Sequence, residues 1–147
     1  MDELTKSLSA CHANTFIMYY KAHAFHWNVE GMFFPTYHGF FGDLYEELFG
    51  AVDPMAEEIR ALGSYAPTSL TELYKNCTLE ESTTRGTEIK SMLEELISDN
   101  EQIIACLTKT FDLANSVNNQ GLADFVAGRL DVHKKHAWML KSCVKGL

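Results

Sequence analysis

The chain has 147 residues, 46% hydrophobic and 22% charged, a composition typical of one globular domain rather than a disordered segment. Its formal net charge of −8 argues against nucleic-acid binding through a general basic surface, because an acidic domain repels phosphate. No apolar run reaches the roughly 18 residues that a membrane-spanning helix needs. The first residues, Met1 to Leu4, lack the pattern of a secretion signal. We therefore expect one cytoplasmic domain over residues 1–147, with no membrane partner.

The four cysteines lie far apart in the sequence. They are Cys11, Cys77, Cys106 and Cys143, and no two of them form a CxxC pair. This spacing is not that of a zinc knuckle or a thioredoxin-type site, and it predicts no disulfide framework. We expect buried thiols in a reducing compartment.

Apolar residues recur at steps of three and four along four segments of the chain, which is the pattern of helices packed in a bundle. The four stripes run from Leu4 to Val29, from Tyr37 to Leu62, from Ile89 to Ala114 and from Leu122 to Val144. The sequence therefore predicts an all-α fold with four long helices. The period alone does not exclude other four-helix topologies.

Turn-forming residues divide these segments at Gly31–Thr36, Gly63–Thr84 and Asn115–Gly121. Within the long second connection, Ser69–Lys75 has the spacing of a short helix. A short, a long and a short connection match the ferritin-like four-helix bundle, which has one long connection. One local rule is broken, since Pro54 lies inside the second helix. It predicts a kink or a short break at Asp53-Pro54.

The commonest metal chemistry of four-helix bundles can be tested directly on the histidines. A di-iron site inside one bundle needs Glu-x-x-His on each of two helices. None of the six histidines has a glutamate three residues before it. A within-subunit di-iron centre of that kind is excluded.

A different set of metal-ligand types occupies the first half of the chain. His26 and His38 are twelve residues apart, and Asp53 and Glu57 share one helix face at i,i+4. Two imidazoles and two carboxylates suit ferrous iron, manganese or zinc. If His38 and Asp53 share a helix, they lie about 22 Å apart. Either the cluster is accidental, or a two-fold interface joins the histidines of one subunit to the carboxylates of another.

The residues around these four candidate ligands form recognisable sequence motifs. The sequence contains His26-Trp27-Asn28-Val29-x-Gly31, then Phe33 and Phe34, then His38, then Asp53-x-x-Ala56-Glu57, and later His136-Ala137-Trp138-Met139-Leu140. In this order they resemble the Dps family, the mini-ferritins, over nearly the whole chain.

This resemblance implies a hollow homododecamer that oxidises ferrous iron with hydrogen peroxide or oxygen and stores the ferric product inside. The metal ligands would be His26 and His38 of one subunit with Asp53 and Glu57 of its partner. Trp27 would be a nearby electron donor, or else a packed interface aromatic.

Further residues bear on iron entry and on the other histidines. Asp124 would lie near an acidic three-fold pore for iron, or else be a helix N-terminal charge favoured by the dipole. His23, His133 and His136 have no carboxylates on a matching face, so we expect them to be packing or surface residues.

The chain departs from the family pattern at three places. Gly42 stands where the family often has an aspartate, so a second iron would be weakly held, held through water, or absent. Glu58 replaces an arginine, with the loss of an interface salt bridge. The N-terminal segment has Lys6 but no lysine-rich tail, so no DNA binding is expected. The alternative function is a shell of the same fold that binds zinc or manganese, or that protects against peroxide without storing iron.

Overall fold

A computed structural model describes all 147 residues and contains five helices and no strands. The helices are α1 (Glu3–Asn28), α2 (Phe34–Ala61), α3 (Leu70–Lys75), α4 (Ile89–Ser116) and α5 (Gln120–Val144). The four long helices form the bundle, and α3 is the predicted short helix of the long connection. None of the helices combines the length and apolar character needed to cross a membrane. The all-α bundle is confirmed.

The predicted stripes are the core of the bundle. α1 packs against α2, α4 packs against α5, and the two pairs meet through α1 and α4. The residues of the first stripe are all buried, and those of the other three stripes are buried or half-buried. The first stripe consists of Leu4, Leu8, Cys11, Thr15, Met18, Ala22, Phe25 and Val29. The central layers contain Phe25, Phe41, Leu48 and Met55, each almost fully removed from water. Burial on this scale makes apolar contact the main source of stability.

The first connection is shorter than the sequence predicted. Gly31–Thr36 was expected to separate the first two long helices, but α2 already begins at Phe34. Pro35 lies in the first turn of α2, where its missing N–H has no intrahelical partner to lose and its fixed φ suits a helix. Proline here begins the helix rather than interrupting the chain.

α2 continues without interruption through Pro54, so the expected short break is wrong. The proline removes a single backbone hydrogen bond, to the carbonyl of Gly50. Met55 and Ile59, on the next two turns, are fully buried and hold the helix against the core. The bend at Asp53-Pro54 stays a prediction.

The long connection is tied to α1 at two points. Asn14 donates from Nδ2 to Thr78 Oγ1 at 2.9 Å and accepts from the Thr78 N–H at 2.8 Å. At the other end, the Gly86 N–H donates to the Asn28 carbonyl at 3.0 Å, and the Glu30 N–H donates to the Gly86 carbonyl at 2.9 Å. Gly86 has φ +73°, which favours glycine. These contacts fix the C-terminal end of α1.

A buried polar network crosses the bundle between α2, α4 and α5. Glu47 accepts from Arg129 through both carboxylate oxygens, at 2.5 and 3.0 Å, and from His136 Nε2 at 2.7 Å. His133 accepts from Arg129 at its Nε2 and donates from Nδ1 to Asn100 Oδ1 at 2.7 Å. His136 therefore does have a carboxylate partner, Glu47 on α2, which the sequence prediction missed, whereas His133 contacts Arg129 and Asn100. Their role as packing residues is confirmed by their burial.

This network makes folding sensitive to acid. Burial, followed by the positive charges of Arg129 and His136, lowers the pKa of His133 from 6.5 to about 3. The folded state thus disfavours protonation, so the stability due to neutral His133 is complete above pH 6.5 and is lost as pH falls towards 3. In that window the free energy of unfolding should fall by up to about 1.4 kcal/mol per pH unit.

Denaturant unfolding of the wild type and of His133→Gln, measured between pH 7 and pH 4, tests this expectation. Glutamine retains an acceptor for Arg129 but does not titrate, so the variant should show a shallower pH dependence. Equal slopes in the two proteins would contradict the assignment.

Candidate metal centre

The two predicted histidine ligands lie side by side where α1 meets α2. His26 occupies the last turn of α1 and His38 the second turn of α2, on either side of the connection at 29–33. Their rings are stacked, with centroids 3.7 Å apart and an interplanar angle of 18°. Both side chains are half-buried. The fold of one chain is enough to bring these two ligands together.

Each of these histidines is held by the backbone of the other. His26 Nδ1 donates to the His38 carbonyl at 2.6 Å, and His38 Nδ1 donates to the His26 carbonyl at 2.7 Å. A carbonyl only accepts, so each Nδ1 carries the proton in the neutral ring. Each Nε2 then keeps an unprotonated lone pair. This is the arrangement in which backbone carbonyls orient metal-binding histidines.

An aromatic cluster formed by side chains of α1 and α2 lies beside the pair. His23 stacks on Tyr45 with centroids 3.7 Å apart, and its Nδ1 lies 3.0 Å from the Tyr19 hydroxyl. Trp27 packs on the other side of His23, with centroids 4.0 Å apart, and remains 54% exposed. His23 is therefore a packing residue, as expected. Trp27 has a face free to contact another molecule.

Gly42 lies directly against the ring of His26. A Cβ atom at this position would stand 3.2 Å from His26 Nδ1 and 3.3 Å from His26 Cε1. Such contacts are tighter than van der Waals distance, so a larger residue would displace the ring. The ring occupies the space in which an aspartate side chain would begin. The absence of a side chain at Gly42 and the position of the His26 ring are thus two aspects of one local arrangement.

The predicted carboxylate ligands lie at the other end of the same helix. Asp53 and Glu57 are one turn apart on α2, and both are exposed. His38 and Asp53 are fifteen positions apart, which corresponds to about 22 Å along the helix. Within one chain, no three His, Cys, Asp or Glu side chains converge as a metal site would require. The carboxylate half of the site stays a prediction.

Large apolar side chains at and beside the connection between α1 and α2 are exposed to solvent. Those around the connection are Trp27, Met32, Phe33 and Phe34, with exposures of 54%, 87%, 50% and 39%. Contiguous exposed apolar side chains mark a surface that contacts another molecule. Asp124 is likewise exposed, in the second turn of α5, and its proposed place at a pore stays a prediction.

The bundle with its long crossover and the paired histidines define a class of protein. The family model described as the ferritin-like domain matches residues 5–147, so the chain belongs to the ferritin-like family.

Individual relatives narrow this class. The chain is 32% identical over 135 residues to a low-temperature-induced protein of Nostoc, covering 91% of this chain and 75% of that protein. It is 30% identical over 130 residues to the DNA protection during starvation protein of Brevibacillus brevis, covering 88% and 87%. The structure of Dps from Thermosynechococcus elongatus matches with a TM-score of 0.93 at 27% identity, covering 99% and 92%. The chain is a member of the Dps family, as its motifs predicted.

The close contact at Gly42 can be tested against a neighbouring glycine. Replacing glycine by alanine inside a helix normally stabilises the protein by about 0.8–1 kcal/mol. Gly39 is exposed on the adjacent turn of α2 with nothing within 4 Å of an added Cβ, so Gly39→Ala should show this gain. Gly42→Ala must push the His26 ring away and should lose most or all of the gain. Denaturant unfolding at pH 7 measures both, and equal gains would contradict the contact.

Proposed function

We propose that this protein is a ferroxidase that stores iron in a hollow shell of identical subunits. The observation that carries the proposal is the histidine pair, in which the two Nδ1 atoms are committed to backbone carbonyls and the two Nε2 lone pairs are free. Imidazole nitrogens together with carboxylates suit ferrous iron, which is here the substrate. Membership of the ferritin-like family supports this choice of metal.

The carboxylates would come from a second copy of the chain. α2 carries the histidine at one end and Asp53 and Glu57 towards the other. Two copies related by a two-fold axis, with their α2 helices antiparallel, would place each histidine pair opposite the partner's carboxylates and create two equivalent sites. The exposed apolar side chains beside His26 and His38 support such a contact. The full assembly proposed is a homododecamer.

The reaction balances without any protein group being consumed. One hydrogen peroxide accepts two electrons from two ferrous ions and, with two protons, becomes two waters. Oxygen is the alternative oxidant. Removing ferrous iron and peroxide together prevents the formation of hydroxyl radical. If only one ferrous ion is bound at a site, Trp27, whose ring centroid is 4.0 Å from that of His23, would be a nearby donor of the second electron.

Two residues bear on how many iron ions each site would hold and on how iron would enter the shell. Gly42 offers no carboxylate, so a second iron at each site would be held weakly, held through water, or absent. Asp124, exposed on α5, would help to attract ferrous ions at the entry pore. The net charge of −8 suits an assembly that collects cations in the cytoplasm and does not retain DNA.

Addition of ferrous iron to the assembled protein, with and without hydrogen peroxide, tests the reaction. Ferric absorbance should appear faster than in buffer, and many ferric ions should elute with each shell on gel filtration. Retention of iron without accelerated oxidation would contradict the ferroxidase. Tight binding of zinc or manganese, with no iron turnover, would favour the alternative function.

Mixed assemblies test whether the sites are shared. Asp53→Ala/Glu57→Ala and His26→Ala/His38→Ala should each abolish rapid oxidation while remaining folded, because all four residues are exposed or half-buried. Each hybrid dimer keeps one intact site of two, so random mixing should restore about a quarter of the wild-type sites.

The exposed Glu46, also on α2, gives a matched control, and Glu46→Ala should oxidise iron at the wild-type rate. No recovery in hybrids verified by mass spectrometry would show that the sites are not shared.

A further inference from the structure

Two of the cysteines meet inside the bundle, although 95 residues separate them in sequence. Cys11 lies on α1 and Cys106 on α4, and their Sγ atoms are 2.6 Å apart. The thiols are free, and no other pair of cysteines is in contact. Cys77 instead bonds to the backbone of Leu79. The contact joins the two helices through which the halves of the bundle pack.

The two thiols of this pair differ in their exposure to solvent and in the direction of their pKa shifts. Cys106 is half-buried, and the hydrogen bond from the Cys11 thiol lowers its pKa despite burial, with a further contribution from the charge of Lys109. Cys11 is fully buried, and the same hydrogen bond, together with burial, raises its pKa. The thiolate is the nucleophilic form of cysteine. Cys106 is thus the more accessible of the two, and it is the thiol that a small oxidant would reach first.

Hydroxyl groups surround the sulfurs. Thr110 Oγ1 lies 3.3 Å from Cys11 Sγ and 2.7 Å from Ser7 Oγ. The Cys106 thiol is 3.5 Å from the Ser7 carbonyl. The two hydroxyls and the two sulfurs lie between α1 and α4, which also meet at the buried ion pair of Lys21 with Asp99. A hydroxyl in this cluster can hydrogen-bond to the water or hydroxide released at sulfur.

We propose that Cys11 and Cys106 form a dithiol centre that reduces hydroperoxides, with hydrogen peroxide as the test substrate. Cys106 thiolate attacks one peroxide oxygen, the O–O bond breaks, and hydroxide leaves as Cys106 becomes a sulfenic acid. Cys11 sulfur then attacks Cys106 sulfur and expels the second oxygen as water. Both thiol protons end in water, so two thiols and one peroxide give one disulfide and two waters. An external thiol reductant restores the pair.

This centre is separate from the histidine pair. Cys11 and His26 are fifteen positions apart on α1, which corresponds to about 22 Å. Its reaction needs no iron and no carboxylate from a second subunit. It would therefore allow the same protein to remove peroxide when ferrous iron is scarce. Catalytic disulfides of this transient kind are those found in reducing compartments.

Peroxide treatment of the assembled, iron-free protein tests the proposal. Each chain should lose about 2 Da, and a non-reducing digest should yield one cross-linked peptide pair containing Cys11 and Cys106. Dithiothreitol should reverse the change. The double variant His26→Ala/His38→Ala should behave identically, which separates this centre from the proposed ferroxidase. Four titratable thiols per chain after treatment, or a disulfide through Cys77 or Cys143, would overturn the proposal.

Single substitutions assign the two roles. In Cys11→Ser, Cys106 should pass beyond sulfenic acid to the sulfinic form, because no second sulfur captures it. In Cys106→Ser, Cys11 should stay reduced. The matched controls Cys77→Ser and Cys143→Ser should form the disulfide at the wild-type rate. Oxidation of Cys11 in the Cys106→Ser variant would overturn the assignment of roles. If a variant fails to fold, the disulfide identified by peptide digest of the wild-type protein still tests the proposal.

Discussion

The reciprocal hydrogen bonds between His26 and His38 are the constraint on which the candidate site depends. The His26 carbonyl lies in the last turn of α1, where helix carbonyls have no intrahelical donor. The residue that would serve it, Glu30, instead donates to Gly86. The end of α1 thus leaves one acceptor open, and His38 uses it. The long connection therefore contributes to the site, because its Gly86 carbonyl takes the Glu30 N–H and leaves the His26 carbonyl free for His38.

The hydrogen bond from His26 Nδ1 to the His38 carbonyl explains why a glycine suits position 42. In a helix the His38 carbonyl accepts from the N–H four residues later, which belongs to Gly42. The His26 ring reaches the same carbonyl, so it must approach the backbone of that residue closely. A Cβ would stand 3.2 Å from the ring nitrogen. Glycine at position 42 therefore leaves room for the His38 carbonyl to accept from both the helix backbone and the His26 ring, and it supplies no side chain at that position.

Much of the fold could be predicted because helical period reports burial directly. The stripes were confirmed, since an apolar residue every three or four positions has one energetically reasonable place in a bundle. Contacts between side chains on different helices produce no comparable pattern in the sequence. In sequence, Glu47 resembles any surface glutamate, yet it accepts hydrogen bonds from Arg129 and His136. Burial alone would raise the pKa of Glu47, but these two partners lower it to about 2.

The contact between Cys11 and Cys106 was missed for the same reason. It depends on the register between α1 and α4, which sequence spacing does not contain. Pro35 was misplaced because a proline that begins a helix and one that ends a connection look alike in sequence. The orientation of the histidine rings was also beyond prediction, because it is set by carbonyls that every residue possesses.

The position of each reactive group also determines when it can act. The histidine pair is complete in one folded chain, because it needs only α1, α2 and the connection that ties them. The proposed ferrous site is complete only when a second α2 supplies Asp53 and Glu57. The sulfur pair needs one chain, since α1 and α4 already hold it together. Iron chemistry would then depend on assembly while thiol chemistry would not, so a dissociated subunit would lose the first and keep the second.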